Sequence, residues 1–167
     1  ADHAITLSDF NTNSGEAMSM GEKSPIAISN PVAAGKLALA EALINLLPSG
    51  VSKLSDIKIS ANWMASPDNA QRKTDLFNTV KELTQKVCNP WRIAVPVGKD
   101  SLSMKTIWQK DKKTNLSPQS LIISAFTKIK NVKKSITPQL IDNNELSLVY
   151  LDLSKTKKRL GGSILSE

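Results

Sequence analysis

The run at residues 30–47, N-P-V-A-A-G-K-L-A-L-A-E-A-L-I-N-L-L, constrains this chain more than any other stretch. Asn30 is a favourable N-cap, and Pro31 stands at the first helical position, where its missing N–H would have no intrahelical partner in any case. Pro48-Ser49-Gly50 then stops the helix. Between those signals almost every residue is apolar, so the helix is expected to be buried on most sides. Glu41 and Asn45 interrupt the pattern. Four positions apart, they are neighbours on one face, with Cβ atoms roughly 5–6 Å from each other, and both offer hard oxygen atoms. Two readings are open: a solvated strip on an otherwise core helix, or two ligands of a Mg²⁺ that grips phosphate oxygens and takes a third ligand from elsewhere.

At 167 residues the chain fits one domain with part of a second and can bury a sizeable core. It begins at Ala1 and ends on Ser166-Glu167 after an apolar run, so it is expected to be a piece of a longer protein. No stretch approaches the ~18 uncharged apolar residues of a membrane span, and no secretory signal opens the chain. A single cysteine, Cys88, offers no internal disulfide and fits a reducing, cytoplasmic location. The one histidine is His3, which leaves cysteine–histidine nucleophilic chemistry and zinc without support. Cys88 is therefore read as a small buried hydrophobe. The net charge of +7 lies in separate lysine clusters at 110–113, 128–134 and 155–159 rather than along one face. With three Trp, three Phe and one Tyr to stack bases, a solvated basic surface is preferred over a nucleic-acid-binding module.

Taken in order, residues 2–7 read as a strand and 8–24 as a small-residue loop containing G-E-A-M-S-M-G-E. Residues 25–29 read as a buried strand feeding the first helix. Residues 53–64 read as a strand with a possible bulge, and 68–87 as an amphipathic helix with Leu76, Phe77, Val80, Leu83, Thr84 and Val87 on its apolar stripe. Three strands follow at 91–97, 102–109 and 119–129, the last two joined by a lysine-rich turn. Residues 132–144 form a connector, and 146–153 begin a fresh strand. The expected fold is α+β in two layers, a mixed sheet with helices on one face. The expected domains are 1–131, the connector 132–144, and the truncated start of the next domain at 145–167.

A second informative stretch is V-P-V-G-K-D-S-L-S-M-K, read as a loop between strands. Gly98 permits close backbone approach, Lys99 supplies a cation, Asp100 a carboxylate and Ser101 a hydroxyl. That set suits a phosphate with its metal, but G-K-D-S lacks the spacing of a Walker A loop, and a tight turn with a solvated Lys–Asp pair is the competing reading.

Taken together, A-D-H-A-I-T, G-E-A-M-S-M-G-E, A-L-A-E-A-L-I-N, K-I-S-A-N-W-M, P-V-G-K-D-S-L-S-M-K-T, S-L-I-I-S-A-F, T-P-Q-L and L-G-G-S-I-L resemble the large-form phosphoribosylformylglycinamidine synthases through nearly the whole chain and in the right order. These are glutamine-dependent carbon–nitrogen ligases of purine biosynthesis. The resemblance implies the N-terminal domain of the aminoimidazole ribonucleotide synthetase fold, in the second of two related halves whose sheets pair. It implies that this half carries an auxiliary ATP/ADP site with Mg²⁺. Asp2, Glu41 and Asn45 fall on the metal-binding positions, Asp2 supplying the third ligand, and Ala1 falls on a nucleotide-contacting one. A further carboxylate ligand would lie beyond Glu167. Lys99, Asp100 and Ser101 correspond to a G-G-E-T loop near phosphates and substrate, with Lys99 and Asp100 departing from that pattern.

In such an enzyme ATP phosphorylates the amide oxygen of formylglycinamide ribonucleotide, and ammonia from glutamine displaces the phosphate. Expected partners are the paired synthetase-like half and a glutaminase domain. The isolated piece is expected to be inactive. The rival reading is a non-catalytic scaffold in which the nucleotide is a structural staple.

Overall fold

A computed structural model describes residues 2–110, 112–143 and 145–152. The chain forms β1 (His3–Leu7), β2 (Gly15–Gly21), α1 (Pro31–Leu46), β3 (Lys58–Met64), α2 (Ala70–Leu83), β4 (Ala94–Ser101), β5 (Lys105–Trp108), β6 (Lys113–Leu116) and β7 (Ser120–Ile129). Five strands make one mixed sheet in the order β1-β2-β7-β3-β4, and β5 and β6 pair as a separate hairpin. Among the described residues only β3 and β4 run parallel, joined across α2. The expected two-layer α+β fold is therefore present.

Asn30 Oδ1 accepts the Ala33 N–H at 3.0 Å, and Pro31 opens α1 as anticipated. Ala38, Leu39, Ala42, Leu43 and Leu46 are buried against the sheet, in one cluster with Ala17, Ile59, Ile123 and Ala125. Leu37, Ile44 and Leu47 are exposed, so the helix is buried on one side rather than on most. The helical run Pro31–Ser49 has the length and, at a mean hydropathy of 1.3, the average composition of a membrane span, although it is not the uncharged stretch that the sequence reading asked for. Lys36 and Glu41 punctuate it, and 44 % of that window is buried within the fold.

The G-E-A-M-S-M-G stretch, expected as loop, is β2. Its buried residues Gly15, Ala17, Ser19 and Gly21 alternate with exposed Glu16, Met18 and Met20. Small residues are required on the buried side because α1 lies directly on this strand: a Cβ at Gly21 would overlap the Ala38 carbonyl oxygen and the Ala42 nitrogen. Ser19 Oγ donates to the Ala42 carbonyl at 2.6 Å across the same contact.

The expected strand at 25–29 is instead a 3-10 turn, Ser24–Ile28, with only Ala27 buried. The expected strand over 53–64 divides into a 3-10 turn at Leu54–Asp56 and β3, which has a register shift against β4 between Lys58 and Ser60. α2 starts at the Asn69 cap and continues through a π-turn, Thr84–Cys88, into a last turn, Asn89–Trp91, that ends on left-handed Arg92 (φ 56°). Phe77, assigned to the apolar stripe, is 63 % exposed, whereas Thr79 is buried where α1 and α2 meet at Gly35. Cys88 is buried in the core, as expected. Among the described residues 146–152 form no strand, and Leu148 and Tyr150 are each 87 % exposed; a strand needs a ladder partner, and none lies alongside in the described residues.

Candidate functional site

Three sequence-singled residues gather where β1, β2 and α1 meet. His3 pairs with Ser19 in the β1–β2 ladder, which sets Asp2 beside the outgoing end of β2. Asn45 Nδ2 donates to the Met20 carbonyl at 3.1 Å. Glu41 packs against Gly21, and its Oε2 accepts the Glu22 N–H at 2.8 Å. The packing of α1 on β2 therefore brings the Glu41 and Asn45 side chains to residues 20–22, and the β1–β2 register brings the Asp2 backbone beside the same segment.

Their electrostatics are uneven. Glu41 Oε1 lies 2.7 Å from Lys23 Nζ. Partial burial works against the charge of Glu41, but the Lys23 hydrogen bond and the Glu22 N–H outweigh it and hold the carboxyl below its ordinary range. Asp2 is exposed and its side chain makes no hydrogen bond or ion pair among the described residues. With Asn45 Nδ2 occupied by Met20, its Oδ1 is the atom left to act as a ligand. Among the described residues no group of three or more His, Cys, Asp or Glu side chains gathers to hold a metal. A cation held here would depend on the Asn45 amide oxygen beside two carboxylates, an all-oxygen set that suits Mg²⁺. The donor set fits such an ion, with the Lys23 ammonium as local competitor.

A cavity of about 310 Å³ adjoins this place, lined by Asp2, His3, Asn45, Ile44, Pro48 and residues 136–138. The backbone bond from Ile136 N–H to the Pro48 carbonyl, 2.8 Å, holds the far wall. His3 Nδ1 is buried with no hydrogen-bond partner among the described residues. Lys23, His3 and the 136–138 wall were not anticipated. His3 and the 137–138 part of the wall lie in motifs that carry the resemblance, A-D-H-A-I-T and T-P-Q-L, but no local pattern gives them or Lys23 a role, because each becomes relevant only through tertiary contact. Ala1 lies outside the described residues.

Lys99, Asp100 and Ser101 are elsewhere. They stand in the edge strand β4, not in a loop, because the ladder with β3 continues through Lys99 opposite Asn62, Asp100 opposite Trp63 and Ser101 opposite Met64. Strand alternation puts Lys99 and Ser101 on one face, with Lys99 Nζ 3.3 Å from Ser101 Oγ, and Asp100 on the other. β4 is four strand spacings from β1, roughly 19 Å. Lys99 and Ser101 also share the sheet face of Asn62, opposite the helices. The fold thus keeps the G-K-D-S residues apart from Asp2, Glu41 and Asn45.

A larger cavity, about 460 Å³, lies between the starts of α1 and α2 and contains none of these residues. Of its polar side chains, Arg72 Nη1 donates to the Ser117 carbonyl at 2.9 Å and Gln71 Nε2 to Asp75 Oδ1 at 2.8 Å, while Gln119 Oε1 is buried with no hydrogen-bond partner among the described residues.

The sequence model of the FGAR-AT PurM_N-like domain family matches residues 1–128. Among solved structures, PurLQS from Thermotoga maritima is similar at TM-score 0.62 and 20% identity, over 83% of this chain and 21% of that one. T. maritima PurL complexed with ATP is similar at TM-score 0.62 and 19% identity, over 83% of this chain and 21% of that one. The same protein complexed with FGAR gives TM-score 0.60 and 18% identity, with coverage of 83% and 21%. The chain spans about a fifth of the length of these relatives, and at such identities the likeness establishes the shared fold.

Proposed function

The chain belongs to the FGAR-AT PurM_N-like domain family, and from that premise we propose that it is the part of a formylglycinamide ribonucleotide amidotransferase that holds an auxiliary adenine nucleotide with Mg²⁺. The supporting observation is that Glu41 and Asn45 are both bonded to residues 20–22, the segment beside which the β1–β2 register sets Asp2. Bound Mg²⁺ would supply charge neutralisation for the phosphates. Glu41 and Asn45, fixed by α1 and tied to β2, offer ligand oxygens in a preset arrangement, and Asp2 closes the set from the start of β1. The adjoining cavity, walled by Ile44, Pro48 and Pro138, offers apolar cover for a base. The T. maritima relative has been solved with ATP and with ADP, which agrees with a nucleotide-binding role in the family.

In this reading Lys99 and Ser101 belong to a second place, on the open sheet face, where a cation and a hydroxyl suit a phosphate or substrate group. Met18, Met20 and Val97 are exposed on that same face. It is the surface on which the paired half of the enzyme would lie, and residues from 145 onward would begin the following domain. The activity of the whole enzyme requires those further parts.

Calorimetric titration of the chain with MgADP tests the nucleotide reading. Saturable binding is expected, lost in the Glu41→Ala, Asn45→Ala double variant. Binding that is undiminished in a folded double variant would refute the assignment.

A further inference from the structure

Lys23 follows β2 by two residues, and its Nζ lies 2.7 Å from Glu41 Oε1, with the two side chains 39 % and 31 % exposed. The other carboxylate oxygen is held by the Glu22 N–H. A divalent cation seated on Glu41 would meet that ammonium at contact range, two like charges on one carboxylate. We propose that Lys23 is the resident counter-cation of Glu41, that it yields its place to the divalent metal, and that it then turns to a phosphate oxygen of the metal-bound nucleotide. The proposal rests on the reading of Asp2, Glu41 and Asn45 as the metal–nucleotide site.

Three features carry it. The Lys23–Glu41 pair is partly exposed, so it is weak enough to exchange. Lysine is a compact point charge on a flexible stem, able to move a few ångströms without rebuilding its backbone. The neighbouring carboxylate that could otherwise receive it, Glu22, is turned to the Ser24 N–H at the start of the 3-10 turn. A metal arriving alone displaces Lys23 from the carboxylate that holds it, whereas a metal arriving with a diphosphate also brings a new anion. Metal and diphosphate should accordingly favour each other's binding, a coupling that acts equally in both directions.

The test compares the 167-residue chain with its Lys23→Met variant. Paramagnetic broadening of amides adjoining Asp2, Glu41 and Asn45 reads the binding of Mn²⁺ alone, and calorimetry reads the binding of MgADP. The variant should bind Mn²⁺ alone roughly two- to fivefold more tightly, the worth of a partly exposed ion pair, and MgADP severalfold more weakly. These opposite signs separate exchange from local unfolding, which would weaken both. A Mn²⁺ midpoint that does not fall, or MgADP affinity that does not drop, overturns the exchange while leaving the site reading standing. A folded parent chain that binds neither ligand removes the site reading and the proposal together.

Discussion

Glu41 shows how much one side chain is asked to do. Its charge is opposed by partial burial but held by Lys23 and the Glu22 N–H, and the net effect depresses its pKa. A depressed folded value means that the carboxylate contributes stability above its unfolded pKa of about 4.3, and that this contribution is lost as pH falls through the folded value. Glu41→Gln should therefore destabilise the chain at neutral pH, and the gap in urea midpoint between the two proteins should close as the pH is lowered from about 5. A gap that stays constant into acid would mean that the Lys23 contact does not favour the charged form. Cys88 illustrates the opposite case: burial alone pushes its thiol up, away from nucleophilic chemistry. At this scale the i, i+4 spacing of Glu41 and Asn45 was legible in the sequence. Their partners were not, since Lys23, Glu22 and Met20 reach them from 18 to 25 residues away.

Between elements, the decisive contact is α1 on β2, and it depends on the absence of side chains. Gly21→Ala would drive a Cβ into the backbone of Ala38 and Ala42, which cannot swing aside. A loss of about 2–3 kcal/mol is expected in chemical denaturation. Gly98→Ala is the counterpart in β4, with the Ala61 carbonyl oxygen 4.0 Å away, and should change stability by less than about 0.5 kcal/mol. Equal effects at the two glycines would contradict the close packing of helix on strand. The same contact explains why the sequence misled over β2. Gly15, Ala17, Ser19 and Gly21 form its buried face, and a strand whose inner face is made of small residues has the composition of a loop. α1 was legible because cap, proline and apolar run all agreed. β4 was cut short in the reading at Val97 because Gly98, Lys99 and Asp100 are turn formers by composition, and only pairing with β3 keeps them extended.

For the whole molecule, the arrangement is of two places on one sheet, the first where α1 meets the β1–β2 edge, the second on the open face at the β4 edge. The sequence presented both as phosphate-binding sets, and only the strand order shows that they are four strands apart. The helix-covered side supplies the packed core and holds Glu41 and Asn45, while the open side exposes Met18, Met20 and Val97. The central claim is that these three residues hold the metal of a bound nucleotide. Crystals of the chain grown with ADP and Mn²⁺ test it most directly through the anomalous signal of the ion. The account predicts one Mn²⁺ peak about 2.1–2.3 Å from oxygen atoms of Asp2, Glu41 and Asn45, with ADP phosphates beside it. A Mn²⁺–ADP peak elsewhere, beside Lys99 and Ser101 or in the cavity between the starts of α1 and α2, would contradict it.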